Sequence, residues 1–219
     1  METYQGIVAT LALTMGVGWA SGINLYAVIG VLGIAGATGN LVLPEQLEVL
    51  QEPLVIGAAV LMYFVEFFAD KTPGVDSGWD AIHTFIRIPA GALLAAGAVG
   101  EATPALEVAA GILGGTMATV SHLTKASTRL LINASPEPFS NWGASLVEDF
   151  AVLAGIWVML SHPLFFLSLM LVFIVIVIWL APKIFRVLRV IANKVHGWFG
   201  GNGKAVVNES PPAIEYDRR

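Results

Sequence analysis

The stretch PLFFLSLMLVFIVIVIWLAP, residues 163–182, decides the fold class of this chain. It carries no charged side chain, and at about 1.5 Å per helical residue it can cross a hydrocarbon core of roughly 30 Å. The remaining sequence agrees, since 56% of its 219 residues are hydrophobic, only 12% are charged and the mean hydropathy is +0.76. The sequence therefore predicts an all-α, polytopic membrane protein whose first partner is the lipid bilayer.

Six apolar segments predict about six transmembrane helices within a transmembrane domain at 1–182. Glycines or a proline interrupt three of the segments, at Gly16–Gly22, Pro89 and Gly114–Gly115, and we expect helix breaks there. Six spans divide into two halves of three, each headed by a long interrupted segment, which favours two inverted three-helix repeats. The segments cover roughly 6–36, 54–70, 79–100, 104–131, 144–160 and 163–182.

Lysine and arginine predict the orientation, because basic residues accumulate in cytoplasmic loops. If both termini are inside, all eleven basic residues fall at inner ends and the outer loops receive none. The predicted location is the bacterial inner (plasma) membrane, multi-pass, with both termini cytoplasmic. Basic and apolar residues alternate at helical spacing in 183–200, which predicts an interfacial amphipathic helix, and 201–219 reads as a disordered cytoplasmic tail.

Several function classes are excluded or disfavoured by composition. The chain has no cysteine, which removes disulfides, thiolate metal sites and cysteine nucleophiles. No basic segment interleaved with aromatic residues suggests nucleic-acid binding. We expect no required cofactor. The last apolar segment has no ionisable group between Leu164 and Ala181, so we expect it to face lipid or a second copy in a homo-oligomer.

Seven ionisable side chains crowd into VEFFADKTPGVDSGWDAIHTFIR, residues 65–87, against this apolar background. With the predicted orientation, four segments carry such groups into the same inner half of the membrane. A charge in hydrocarbon costs at least about 2.5–3.5 kcal/mol, so we expect pairing or cavity water. The expected pairs are Arg87 with Glu66, and Lys125 or Arg129 with Glu148 or Asp149.

The spacing of these groups predicts two facing polar stripes. Asp76, Asp80, His83 and Arg87 recur at helical intervals on the third segment, and His122, Lys125 and Arg129 repeat that spacing on the fourth. Residues near helix ends also suit interfacial anchoring by snorkelling, and we expect this role for Lys71, Asp76, Lys125 and Arg129.

The cluster has six acids and four bases, a net charge of −2 with neutral histidines, which favours a cation. A divalent metal ion is the candidate substrate, with Glu66, Asp76, Asp80 and His83 as the candidate metal ligands. Asn24 lies deeper, where an interhelical hydrogen bond and a substrate contact are both open. The candidate substrate-binding residues are Asn24, Glu66, Asp70, Asp80, His83, Arg87, His122, Lys125, Glu148 and Asp149.

Two resemblances accompany this reading. FVEFFADKTPGVDSGWDAIHTFIRIPAGALLAA, residues 64–96, together with GWASGINLYA, residues 18–27, resembles the bacterial membrane proteins grouped as domain of unknown function 4126. The resemblance covers about residues 10–160 and implies no activity. More loosely, ADKT at 69–72 with Glu66 upstream is similar to a motif of six-helix cation/proton exchangers of the lysine-exporter superfamily. Alanine replaces a glycine there, Glu66 is one residue further away, and no second copy occurs near Glu148.

The function we expect is a small secondary transporter or exporter, in which a small ion or solute binds in a cytoplasm-facing polar cavity. A cation is favoured, either a divalent metal or a proton-coupled ion, and a small anionic or zwitterionic solute is the alternative within this class. No recognised catalytic motif is present, so we expect a protein that is not an enzyme. Two further alternatives are an intramembrane enzyme acting on a lipid headgroup or prenyl phosphate, and an accessory subunit without a site.

Overall fold

A computed structural model describes residues 2–72, 74–133 and 138–199, and every described element is helical. The chain divides after Val177 into two compact units. The predicted tail at 201–219 lies outside the described residues, as do most side chains of the predicted interfacial helix at 183–200, whose backbone is helical to Phe199. The elements are α1 (Glu2–Ala37), a short 3-10 helix (Glu45–Gln51), α2 (Pro53–Ala69), α3 (Val75–Gly97), α4 (Pro104–Asn133), α5 (Pro138–Ser161) and α6 (Pro163–Phe199).

Proline and glycine set the helix boundaries. α2, α4, α5 and α6 each begin at a proline, where the missing N–H costs no intrahelical hydrogen bond. Gly74 precedes α3 with φ 83°, and Gly100 follows it with φ 66°, a left-handed conformation that glycine adopts without steric cost. These two glycines flank α3, the helix that carries Asp76, Asp80, His83 and Arg87.

Three helical segments are long and apolar enough to cross a membrane, namely Gly6–Ala37, Phe139–Ser161 and Pro163–Lys183. A fourth span is possible by the same criteria if the 3-10 helix and α2, bent by 68° against each other, count as one. Charged and small polar residues interrupt α3 and α4, so these helices do not reach the same apolar character. The structure is therefore that of an all-α protein with three to four candidate membrane spans.

Small residues let α1, α3 and α4 pack with their backbones close together. A Cβ added to Gly18 of α1 would lie 2.5 Å from the carbonyl oxygen of Gly114 in α4. A Cβ on Gly91 of α3 would lie 2.7 Å from the Cβ of Ala118. The close approach of α3 and α4 that their glycine and alanine strings predict is thus observed, and α1 takes part in it as well.

The helix break in α1 lies at Asn24, whereas the sequence predicted it at Gly16–Gly22. Asn24 has φ −148° and ψ 93°, which is extended backbone between two helical halves. α3 and α4 run as single helices through Pro89 and Gly114–Gly115, so the breaks predicted there were wrong. Glycine in α1 serves close packing, and the polar side chain of asparagine is what accommodates the break.

Candidate functional site

Arg87 of α3 is the centre of a buried network of charges. Its Nη2 donates to Glu66 Oε1 of α2 at 2.9 Å, and its Nη1 donates to Asp80 Oδ1 at 2.8 Å. Arg87 and Glu66 are fully buried and Asp80 is 2% exposed. The expected pair of Arg87 and Glu66 is therefore present, and one guanidinium bridges the carboxylates of two helices.

Lys125 of α4 is surrounded by carboxylates. Its Nζ donates to Asp70 Oδ2 at 2.7 Å, and Oε1 of Glu66 lies 3.5 Å away. Oδ1 of Asp80 and Oε2 of Glu148 are each 3.8 Å from the same nitrogen. The Lys125 ammonium is thus close to four carboxylates. They come from α2, from the residue after α2, from α3 and from α5, and their negative charge exceeds that of the one ammonium.

Arg129 extends the network toward α5. Its Nη2 donates to Glu148 Oε2 at 2.6 Å, as the sequence predicted for this pair, and its Nη1 donates to the backbone oxygens of Asp70 and Asn141 at 3.0 and 3.1 Å. Arg129 is fully buried, although its place near a helix end suggested an interfacial anchor. The same correction applies to Lys71, Asp76 and Lys125, all of which are less than 10% exposed.

Asp149 joins a second lysine and the break in α1. Lys71 Nζ lies 3.8 Å from Asp149 Oδ2 and donates to Ser145 Oγ at 3.1 Å. Asn24 Nδ2 is 3.4 Å from Asp149 Oδ1, at the long end of hydrogen bonding. Polar groups of α1, α5 and the α2–α3 turn therefore meet on the side of Asp149.

Asn24 also satisfies the backbone that the break exposes. Its Oδ1 accepts from the N–H of Ala27 at 2.9 Å, an N-cap for the second half of α1. The carbonyl of Ile23, freed by the same break, accepts from Lys125 Nζ at 3.1 Å. The charge network and the interrupted helix are consequently one hydrogen-bonded structure.

Both histidines of the cluster are fixed in place by hydrogen bonds to their neighbours. Arg87 can only donate, so Nδ1 of His122 accepts from it at 3.2 Å, and the Nε2–H donates to Thr84 Oγ1 at 2.7 Å. The carbonyl of Trp79 accepts from His83 Nδ1 at 2.9 Å, and His83 Nε2 is hydrogen-bonded to the Tyr26 hydroxyl at 3.1 Å. All four ring nitrogens are therefore engaged.

Asp76 stands apart from this network. Its Oδ1 accepts from the backbone N–H groups of Gly74 and Ser77 at 2.8 and 2.6 Å, and Asn133 Nδ2 donates to both of its oxygens at 2.9 Å. Asn141 Nδ2 adds a further contact at 3.2 Å. Every lone pair has a donor close by, which makes Asp76 a structural anchor of the start of α3.

The candidate metal ligands do not converge. Glu66 and Asp80 face Arg87, Asp76 faces amides, and the His83 ring stacks on Trp79 with the ring centroids 4.3 Å apart. Within residues 2–72, 74–133 and 138–199, no group of three histidines or acids is arranged to hold a metal ion. The arrangement is one of alternating acids and bases.

Four carboxylate oxygens of the network lack a hydrogen-bond partner among the described residues. Each belongs to a carboxylate whose other oxygen is paired or hydrogen-bonded, and each is shielded from solvent. Because a buried unsatisfied carboxylate oxygen is costly, these atoms are acceptors available to a proton or a cation. They are Glu66 Oε2, Asp70 Oδ1, Asp80 Oδ2 and Asp149 Oδ2.

A cavity of about 240 Å³ reaches the network from the side of α4 and α5. Lys125 and Glu148 line it, and Glu148 is the most accessible acid of the network, with its side chain 17% exposed. The other lining residues are Ile23, Ser121, Thr124, Thr128, Ala144, Val147 and Phe173. A smaller apolar cavity of about 150 Å³ lies between α1, α2 and α5 and is lined by Tyr26 and Tyr63.

Of the ten predicted substrate-binding residues, nine join the central network or its contact with Asn24. His83 is outside it and is hydrogen-bonded to Tyr26 of α1. The sequence prediction missed Ser145 and Asn141 as network members. Asn141, Ser145 and Glu148 are separated by four and three residues, so they lie on one face of α5. Looking for polar residues at this spacing before Glu148 would have found them. Tyr26 carried no comparable signal.

Comparisons with known proteins agree with the sequence signature. The model of a protein family, described as domain of unknown function, matches residues 11–183, which is well over half of the chain. No curated protein and no solved structure matches, and nothing found supports the looser similarity to the lysine-exporter superfamily. The chain belongs to the family described as "Domain of unknown function (DUF4126)".

Proposed function

We propose that this protein is a small secondary membrane transporter that binds a cation, in exchange with protons, at the buried network around Arg87 and Lys125. The observation that carries the proposal is the excess of acid over base in that network. Without the separate Asp76, five carboxylates and four basic side chains leave a net charge of −1 with neutral histidines, and four carboxylate oxygens have no hydrogen-bond partner among the described residues.

A net negative charge cannot be stored at low cost in a site removed from water. Removing an ion from water costs several kcal/mol even after relaxation, and only pairing offsets that cost. Protons or a cation from outside the protein restore the balance. A site that accepts either of them in turn has the property that proton-coupled exchange requires.

The interrupted helix α1 supports transport over a purely structural role. Transporters commonly bind substrate beside discontinuous helices, whose free backbone groups line the site. Here the break at Asn24 presents the Ile23 carbonyl to Lys125 and the Asn24 amide to Asp149. Occupation of the carboxylates would change both contacts, so binding and the geometry of α1 are coupled.

Six membrane helices with cytoplasmic termini form the topological part of the proposal, with a division into inverted halves of three. α3 supports it, because its polar residues Asp80 and Arg87 are buried while Phe85 and Leu93 are 83% and 73% exposed. Large apolar side chains on the outside of a charged interior suit a lipid environment. The absence of lysine and arginine from the sequence segments assigned to the outer side supports the orientation in the bacterial inner membrane.

The test is cation flux in proteoliposomes that contain a pH-sensitive dye. A panel of monovalent and divalent cations is applied as a gradient, and we expect uptake of at least one of them to drive protons outward. Asp80→Asn should abolish the coupled flux, because it removes one charge of the excess and one unpaired oxygen. Glu48→Gln, at an exposed position of the 3-10 helix, is the matched control and should transport normally.

Two results would refute the proposal. The first is the absence of flux for every cation of the panel with correctly folded protein. The second is undiminished proton-coupled flux in Asp80→Asn, which would show that the buried acids are not the transport site.

A further inference from the structure

The polar wall of the cavity between α4 and α5 consists mainly of groups that can accept a hydrogen bond. Thr124 and Thr128 donate their hydroxyl protons to the carbonyls of Val120 and Thr124 at 2.7 and 2.8 Å, which leaves oxygen lone pairs toward the cavity. Ser121 donates to the carbonyl of Trp19 at 2.7 Å. With their protons so directed, these three hydroxyl groups of α4 offer oxygen lone pairs to a ligand.

The two charged residues of the wall extend this pattern. The hydrogen bonds and ion pairs of Glu148 within the described residues all use Oε2, so Oε1 is left as an acceptor. Lys125 directs its protons to Asp70 and to the Ile23 carbonyl, at 2.7 and 3.1 Å. Among the described lining residues Lys125 is the one base, and two of its three N–H donors are used inside the network, whereas Glu148 Oε1 remains free to accept from a ligand.

The remaining wall is apolar and includes an aromatic ring. Phe173 and Val147 line the cavity together with Ile23 and Ala144. A cation is attracted to the face of an aromatic ring when it lies within about 6 Å of the centroid. The volume of about 240 Å³ exceeds the roughly 150 Å³ of an engineered cavity that holds benzene, so a ligand of several carbon atoms fits.

We infer that this cavity binds a small organic ammonium ion, with its N–H groups on Glu148 and the threonine hydroxyls, its positive charge toward the ring of Phe173 and its hydrocarbon part against the apolar wall. The inference rests on the proposed function in naming the class of cation that the network receives. The ammonium group is the chemistry that the wall selects, whether it comes from a free alkylamine or from an amine-bearing lipid headgroup.

Binding of n-hexylammonium to the full chain in phosphatidylcholine nanodiscs tests the inference, measured by calorimetry against empty nanodiscs. We expect saturable binding to wild type, and much weaker binding of 1-hexanol and hexanoate, which have the same chain without the positive charge. Thr128→Val and Phe173→Leu should each weaken the binding by about tenfold, the effect of one lost hydrogen bond to a charged group or one cation–π contact.

Matched controls exist on the same helices. Thr116→Val removes a hydroxyl that makes the same bond to the carbonyl four residues earlier, on an exposed face of α4, and Phe165→Leu removes an exposed ring of α6. Both variants should bind n-hexylammonium like wild type. Glu148 stays unchanged in this test, because its carboxylate also holds Arg129.

The lipid composition distinguishes the two sources of the ammonium group. If nanodiscs with phosphatidylethanolamine weaken n-hexylammonium binding by competition, a lipid headgroup is the natural occupant. If the affinity is unchanged, a soluble amine is the occupant, and either result supports an ammonium site.

The inference is overturned if 1-hexanol binds as tightly as n-hexylammonium, if neither cavity variant alters the binding, or if no saturable binding occurs. Flux of an inorganic cation without ammonium binding would contradict this inference and leave the proposed function intact. Ammonium binding without any cation flux would instead contradict the proposed function and still support an ammonium site in this cavity.

Discussion

At the scale of single residues, the site is a set of buried charges, each of which is stable only when it is paired with an opposite charge. Arg87, Arg129 and Glu66 are fully buried, and each has an oppositely charged partner within 2.9 Å. Removing one partner of a buried pair leaves an uncompensated charge, which is far more costly than never having had the pair. The consequence is that single and double substitutions have different effects.

Arg87→Met should destabilise the protein by about 3–5 kcal/mol, because Glu66 and Asp80 both lose the guanidinium that bridges them. The double variant Glu66→Gln with Arg87→Met should regain part of that loss, since the unpaired charge on Glu66 is gone while that on Asp80 remains. Thermal unfolding in detergent, followed by tryptophan fluorescence, measures both changes.

Cation flux in the same two variants distinguishes a transport role of these residues from a purely structural one. We expect the double variant to fold but to show no cation flux, because the network has lost a carboxylate and its organising base. Restored flux in the double variant would mean that pairing alone mattered and would contradict the transport role of these residues.

At the scale of elements, the break in α1 is the feature on which several helices depend. Asn24 caps the second half of α1 through Ala27 and contacts Asp149 of α5, while the neighbouring Ile23 carbonyl receives Lys125 of α4. A helix interrupted inside the membrane needs such partners for every freed backbone group. The polar network therefore stabilises the break, and the break in turn positions polar groups of the network.

Asn24→Ser and Asn24→Ala separate the two roles of this residue. Serine keeps an oxygen that can cap the N–H of Ala27 but cannot reach Asp149, whereas alanine loses both contacts. The alanine variant should therefore be less stable than the serine variant by about 0.5–2 kcal/mol, the usual worth of an N-cap. Equal melting temperatures of the two variants in the same detergent would show that the cap contributes nothing.

At the scale of the whole molecule, the transmembrane proposal depends on an asymmetric distribution of charge. The α2–α3 turn carries Lys71 and is assigned to the cytoplasmic side, whereas the segment between α1 and α2 has acids and no base. Because the chain has no cysteine, a single introduced cysteine reports its own side without interference.

Val42→Cys and Thr72→Cys test this orientation in intact cells. Both positions are exposed, and Val42 is 92% exposed in the segment between α1 and α2. A membrane-impermeant maleimide should label Val42→Cys before permeabilisation and Thr72→Cys only afterwards. Labelling of both from the same side would contradict the proposed topology.

The sequence alone was sufficient for the properties that depend on local pattern. The apolar run at 163–182 is legible from composition, and the polar stripe from Asp76 to Arg87 from spacing, because helices place every third or fourth residue on one face. The pairing of Arg87 with Glu66 followed from the high cost of lone charges at that depth. The family signature over residues 64–96 belongs to this level too, and the family match confirms it.

Only the tertiary structure decided which groups meet across the molecule. Lys125 touches Asp70, fifty-five positions away, and the Ile23 carbonyl, one hundred and two positions away, and no local spacing encodes such contacts. The same packing buried Lys71 and Arg129, which helix-end position alone assigned to the membrane surface, and moved the break in α1 from its glycines to Asn24. The physical reason is that the free energy of a buried charge depends on its neighbours in space, and the sequence specifies those neighbours only through the fold.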